Sequence, residues 1–399
     1  MQNYSLLSSM NNHTHPTEYI RAEGALLFRA DGTYDLNLME MTVILGQKNQ
    51  GFQSAMQDAL SKNTGMKGNS DSLEERLYEY LDETTDHDFS GCHLTASGSE
   101  AVEDAVLIAR YLTGKTEIIS FSNSIHGRTM LSASLSGVPA RTVGLKELAP
   151  GVIRVPYPDA SFYSGMILPD DASAWMELVK QSYYGASARC GAAVIVEPIQ
   201  GADIRIPPAG FLKMLQDWAH ENGMLFIMDE VQTGMGRTGR WYRYQQEGLK
   251  PDILLLGKAL GNGLHIAAVL VKDHPPVELL PALAGGAGND PLGCAAACEV
   301  FRQLKSGLLH HVAEVGHHML EKLKEAESCP LIKEVRGSGL MTAVEFTDEL
   351  ICSNVFNQLK AKRFLSGHRG NVIFFKPPYV ITQQQTDELG NTLKQILGN

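Results

Sequence analysis

"MLFIMDEVQTG", residues 224–234, is an apolar run without polar alternation that stops on two carboxylates. A strand with one wet face alternates apolar and polar positions. A short run that is apolar throughout instead suits a strand covered on both faces, as in a mostly parallel sheet flanked by helices. Working outward from 224–230, similar runs occur at "HLTAS" (93–97), "EIISF" (117–121), "AAVIVE" (192–197), "DILLL" (252–256) and "IAAVLV" (266–271). The fold class read from them is α/β.

Helical patterns fill the intervals. After "TASGSE", Ala101, Ala105, Ile108, Ala109 and Leu112 recur at helical spacing, Ser97 and Glu100 have the spacing of a capping box, and Gly114 suits the stop. Phe211, Leu215, Trp218 and Ala219 form a second stripe that ends at Gly223. These are the connections expected of βαβ crossovers. From about residue 293 the chain reads as amphipathic helix ("CAAACEVFRQLKSGLLHHVAEVGHHMLEKLKEAE"). Short strands at "GLMTAVEF" and "NVIFF" and a last helix at "QQQTDELGNTLKQIL" follow. Together they predict a smaller α+β C-terminal domain beside the large domain with its mostly parallel sheet. The division expected is an N-terminal segment over 1–52, a large domain over 53–308 and a small domain over 309–399.

Composition narrows the function. A net charge of -11 with no basic block excludes nucleic acid as a partner. Six cysteines without a CxxC pair read as reduced thiols of a cytoplasmic protein. The first nineteen residues lack a basic leader before an apolar core, and no stretch reaches the ~20 apolar residues of a membrane span.

Ligands of open α/β sheets bind at the carboxyl ends of the strands. Three features fall there. Gly98 and Ser99 open a helix, where free N–H groups and the dipole favour a phosphate. Asp229 closes its apolar run and needs a cationic or N–H partner if buried. Lys258 follows "DILLLG", and a desolvated lysine becomes a nucleophile toward aldehydes. Each has an ordinary structural reading: a capped helix, an ion pair, a snorkelling lysine. A phosphate cradle, a carboxylate for a ring nitrogen and a Schiff-base lysine are together what pyridoxal 5′-phosphate requires.

The stretches "SGSEA", "IHGRT", "VEPIQG", "DEVQTGMGRTG", "PDILLLGKALGNG", "NDPLGCAAA", "VRGSGLM" and "PPYVIT" resemble, in order, those of the class III aminotransferases of the acetylornithine/ornithine type. The resemblance implies the aspartate-aminotransferase-like fold type I, pyridoxal phosphate as cofactor, a small amino substrate with a carbonyl acceptor, and a homodimer with its sites at the interface. Carried over residue by residue, it makes Lys258 the Schiff-base lysine and proton carrier and Asp229 the partner of the ring nitrogen. Val231 would pack on the ring, Gln232 would reach the ring hydroxyl, Gly98 and Ser99 would hold the phosphate, and Ile125 and His126 would lie beside the cofactor. Arg128 matches a substrate-carboxylate contact.

The chain departs from that pattern in three places. Ile125 stands where an aromatic usually stacks, and Gly286 where a threonine usually reaches the partner's phosphate, so weaker cofactor retention is expected. Ala202 and Phe374 replace a Glu/Arg pair through which many members accept 2-oxoglutarate; losing both charges avoids burying one alone. Arg205, Arg128 and Lys376 are candidates for the missing charge. The same departures leave racemisation, epimerisation or decarboxylation open, and also a non-catalytic cofactor-binding or partner protein. "GMGRTG" (234–239) fits GxGxxG but lacks the flanking helix and acidic residue of a dinucleotide site. His310/His311 and His317/His318 lack a completing metal ligand and read as a solvated helix face.

Overall fold

The computed structural model describes residues 18–62, 73–145, 147–159, 171–274, 276–283 and 288–398. The leader reading at the N-terminus and Gly286 lie outside these residues. Three sheets organise the chain. Strands β1 (Tyr19–Glu23), β2 (Leu26–Arg29) and β3 (Tyr34–Asn37) form an antiparallel meander near the N-terminus.

The central sheet contains β4 (Gly91–Thr95), β5 (Glu117–Phe121), β6 (Val152–Val155), β7 (Gly191–Val196), β8 (Leu225–Asp229), β9 (Ile253–Leu256) and β10 (Ala267–Val271), in the order β4-β10-β9-β8-β7-β5-β6. Only β10 runs against its neighbours. Strands β5, β7, β9 and β10 are buried at every position, which accounts for their unbroken apolar sequence. The first predicted strand is shifted: β4 ends at Thr95 because Ser97 leaves the ladder to cap the helix Gly98–Thr113. There the Ser97 hydroxyl accepts from Glu100 N–H at 3.3 Å, while the Glu100 carboxylate reaches past Ser97 to Ala96 N–H at 3.0 Å. Gly114 ends the helix in the left-handed conformation, at φ 65°. The apolar stripe of the helix Phe211–Glu221 is buried as expected.

The third sheet joins β11 (Ile332–Ser338), β12 (Met341–Phe346), β14 (Gly367–Arg369) and β15 (Val372–Phe375) in the order β11-β12-β15-β14; the short β13 (Phe364–Leu365) pairs in parallel with β3. The helix Pro291–Gln303 gives way to Leu309–Lys324 across Gly307, whose φ is 115°. The first of these helices packs on Gln50–Ser61, Leu73–Thr84 and the turn after β9, so residues 291–303 lie with the central sheet. No described helix is long and apolar enough to cross a membrane, and all six cysteines are free thiols.

Candidate active site

The carboxyl ends of β4, β8 and β9 and the approach to β10 surround one cavity of about 460 Å³. Its wall includes Gly98, Ser99, Ile125, His126, Arg128, Asp229, Val231 and Lys258, which is every residue expected at the site except Gln232. These residues come from four separate stretches, 98–99, 125–128, 229–231 and 258, which converge as the strand-end argument requires.

Asp229 is the last residue of β8 and is almost wholly buried. One carboxylate oxygen lies 2.7 Å from His126 Nδ1, and the other accepts the Val231 N–H at 3.1 Å. The His126 ring is fully buried too, and its Nε2 has no partner among the described residues. Gly127 allows the turn that brings His126 there: its φ is 156°, and a Cβ would lie 2.1 Å from Ser132 Oγ. Beyond it, the Arg128 N–H donates to Ser99 Oγ at 3.1 Å, joining this turn to the start of the helix Gly98–Thr113.

Lys258 is half-buried on the cavity wall and makes no hydrogen bond among the described residues. Its φ of 41° lies in the left-handed region, a strained conformation for a residue with a Cβ and one concentrated at functional sites. Burial pulls the amine pKa below its ordinary value; Asp229 and Glu197 oppose that shift, and Arg141 and Arg128 add to it. The turn is fixed from the other end by Asn262, whose side-chain Oδ1 accepts the Leu45 N–H at 2.9 Å.

Two side chains at the site, Glu197 and Arg141, were not among the expected residues, and a third, Lys376, was expected only as a substitute for the missing charge. Glu197, directly after β7, is buried and accepts N–H groups from Ile125 at 2.7 Å and Gly201 at 2.9 Å, and burial raises its pKa. It closes an apolar run just as Asp229 does, so the same signal could have found it. Arg141, from the short helix Pro139–Thr142, lines the cavity beside Arg128 and carries no local sequence signal. Lys376, which closes "NVIFF", is buried behind the cavity; it donates to Gly201 O and, at 3.2 Å, to Gln232 Oε1. Those contacts hold Gln232 against Gly201 and off the cavity wall.

The charge positions read from the sequence are resolved differently from one another. Ala202 and Phe374 are buried, and Phe374 packs with Ile199, Ile204, Met341 and Ala343. Its ring lies where a Cβ on Gly367 would come within 2.1 Å of it. Arg205 is not available as a substitute charge, because it is buried against Asp159 at 2.7 Å, Asp203 at 3.3 Å and Glu345. Arg128 remains exposed at the cavity. "GMGRTG" serves as a structural loop: Arg237 is buried and donates to Pro377 O at 2.5 Å, Glu40 O at 3.0 Å and Leu340 O at 3.3 Å. The histidine pairs form no metal cluster among the described residues; His311 bonds Ile381 O, and His318 bonds Asp387.

Burial lowers the Lys376 pKa from 10.5 to about 7, with Lys258 adding to the shift. Between those values the unfolded chain binds a proton that the folded chain does not, so stability contributed at Lys376 rises with pH across this window. The burial penalty is complete below about 7 and absent above 10.5. Lys376→Met is expected to flatten the dependence of thermal stability on pH between these limits. Its unpaired Gly201 and Gln232 oxygens add a cost that does not change with pH. Melting curves for both proteins that run parallel across the window would refute this.

The central sheet and strand-end cavity define a fold type I transferase. The chain superposes on the omega transaminase from Pseudomonas jessenii in complex with PMP with a TM-score of 0.87, at 25% identity, covering 99% of this chain and 98% of that one. An omega-transaminase from Thermomicrobium roseum shares the fold with a TM-score of 0.84, at 24% identity over 98% of this chain and 97% of that one. A family model described as aminotransferase class-III matches residues 7–397, and the chain belongs to that family. Among its relatives, the acetylornithine aminotransferase of Aquifex aeolicus is 32% identical over 97% of this chain and 99% of its own length. That of Streptococcus mutans is 32% identical over 93% of each.

The protein is accordingly a pyridoxal-phosphate-dependent aminotransferase of small amino and carbonyl substrates. Nothing in the comparisons supports a racemase, a decarboxylase or a non-catalytic protein. The residues present fit the cofactor. An unpaired amine, a buried carboxylate oriented by His126 and a helix N-terminus share one cavity, with apolar Ile125 and Val231 on its wall.

Proposed function

We propose that Lys258 carries the cofactor and moves the proton during amino transfer. The observation that carries this reading is its unpaired, half-buried amine on the same wall as Asp229 and Gly98–Ser99. Pyridoxal phosphate, when bound, supplies a ring that accepts the electron pair left at the amine-bearing carbon. Lys258, with its pKa lowered, would accept the proton from that carbon and hold it on Nζ for return. Asp229 keeps the ring nitrogen protonated, and its hydrogen bonds to His126 and the Val231 N–H prevent it from turning away.

Gly98 and Ser99 offer N–H groups to the phosphate. Ile125 and Val231 bound the ring with apolar surface and exclude water. Gln232, with Oε1 engaged by Lys376, lies off the cavity wall, so the expected contact with the ring hydroxyl is not part of this reading. Arg128 receives the substrate carboxylate. The enzyme acts as a homodimer in the cytoplasm, with the N-terminal segment 1–52 packing with the small domain 309–399 and the cofactor held in the large domain 53–308.

Amino transfer separates from one-substrate chemistry in a single half-reaction. Adding an amino donor to the holoenzyme without any acceptor is expected to yield one pyridoxamine phosphate per site, with one equivalent of ketone or aldehyde. A cofactor that stays in the pyridoxal form while the donor is racemised or loses carbon dioxide would reverse the reading.

A further inference from the structure

Arg128 and Arg141 come from different elements, the turn after Gly127 and the helix Pro139–Thr142, yet both line the cavity that holds Lys258. Neither guanidinium makes a hydrogen bond or ion pair among the described residues. Arg141 is half-buried, so its charge loses solvation with nothing among the described residues to replace it. Burial lowers its pKa, and Arg128 lowers it further, so the two charges repel each other. Among the described residues, the only acidic group on the cavity wall, Asp229, is already bonded to His126. Two unneutralised arginines at one mouth of a protein with net charge -11 form a local anion site against the overall field.

We infer that Arg128 and Arg141 together recognise a doubly charged anionic group at the far end of the amino substrate, a phosphate, phosphonate or paired carboxylate. This rests on the aminotransferase reading of the site and names the substrate class it selects. A single carboxylate satisfies one guanidinium in a bidentate pair and leaves the second unpaired. A dianion neutralises both and relieves their repulsion. The missing charge pair at Ala202 and Phe374 fits the same picture: discrimination by charge moves from the buried sheet, where Phe374 now packs, to the cavity mouth.

The test uses holoenzyme in mildly alkaline buffer with two amines of similar length, 3-aminopropylphosphonate and 4-aminobutyrate, titrated against the cofactor's absorption band. The phosphonate is expected to bind about tenfold tighter or better, the effect of one added charge-assisted pair. Arg141→Gln is expected to bring the two amines within about twofold of each other while leaving the cofactor dissociation constant unchanged, and Arg141→Lys, which keeps the charge, to retain part of the preference. Equal affinities in the parent would overturn the inference. So would release of cofactor by Arg141→Gln, because the arginine would then serve the cofactor's phosphate. A parent without any lysine-bound cofactor band would remove the aminotransferase reading itself, and this inference with it. A normal band and amine response without anion preference would remove only the inference.

Discussion

Lys258→Ala, purified and supplied with pyridoxal phosphate, is expected to lack the visible band of lysine-bound cofactor and to lose about 10⁴-fold in kcat, the upper end of what a positioned proton-transfer group supplies. The expectation rests on the isolation of the amine. It is half-buried, unpaired and held on the cavity wall by a backbone at φ 41°, while its pKa is lowered mainly by burial. Lys376 cannot replace it, because that amine is engaged with Gly201 and Gln232 away from the cavity. The melting temperature serves as a control, since the change removes no hydrogen bond among the described residues. Turnover within tenfold of the parent would show that another group carries the proton.

The second large effect is structural. Glu345 in β12 is fully buried and receives Arg336 at 2.7 Å and Lys333 at 2.8 Å, as well as Arg205. Arg336 also donates to Ile204 O at 2.7 Å and Asp203 O at 3.0 Å, and Asp203 accepts from Asn123 at 2.8 Å. The network pins the loop after β7 to the third sheet and holds Ile204, a β-branched residue, at a φ of 56°. Burial alone would raise the Glu345 pKa; Lys333, Arg205 and Arg336 hold it at about 2. Its folded pKa lies below the ordinary 4.5, so its stabilisation is present above that value and is lost as pH falls toward 2. Glu345→Gln leaves two buried guanidiniums short of charge and is expected to cost about 3–5 kcal/mol. Lys333→Met, which removes only a half-exposed partner, is expected to cost no more than about 1 kcal/mol. Equal losses in denaturant unfolding of the two variants would contradict the weight placed on the buried pair.

The central sheet was legible because both of its faces are covered, so its strands carry one residue class from end to end. β6 escaped notice for the opposite reason. It is an edge strand with alternating burial, and its Arg154 turns to Ser134 O and Ser136 O. β11, "IKEVRGS", was hidden by the charged residues that form the Glu345 network. Within the site, Lys258, Asp229 and Gly98 could be found because each stands at or just past the end of a strand. Arg141 could not, since only the tertiary fold brings "PART" to the cavity. Gln232 belonged to the expected set but turned away, because its position depends on Lys376, distant in sequence.

The pairing of β3 with β13 has a consequence for synthesis. Arg363 and Asp35 form an ion pair across 328 residues of chain, and Leu36 N–H bonds Arg363 O at 2.8 Å. At about 5–20 residues per second, the N-terminal meander waits roughly 15–65 s on the ribosome before its partner strand exists. During that interval the Tyr34–Asn37 edge is open to pairing with other chains. Completion of this sheet thus waits for synthesis of Phe364–Leu365, and the yield of native protein depends on how well that edge is shielded until then.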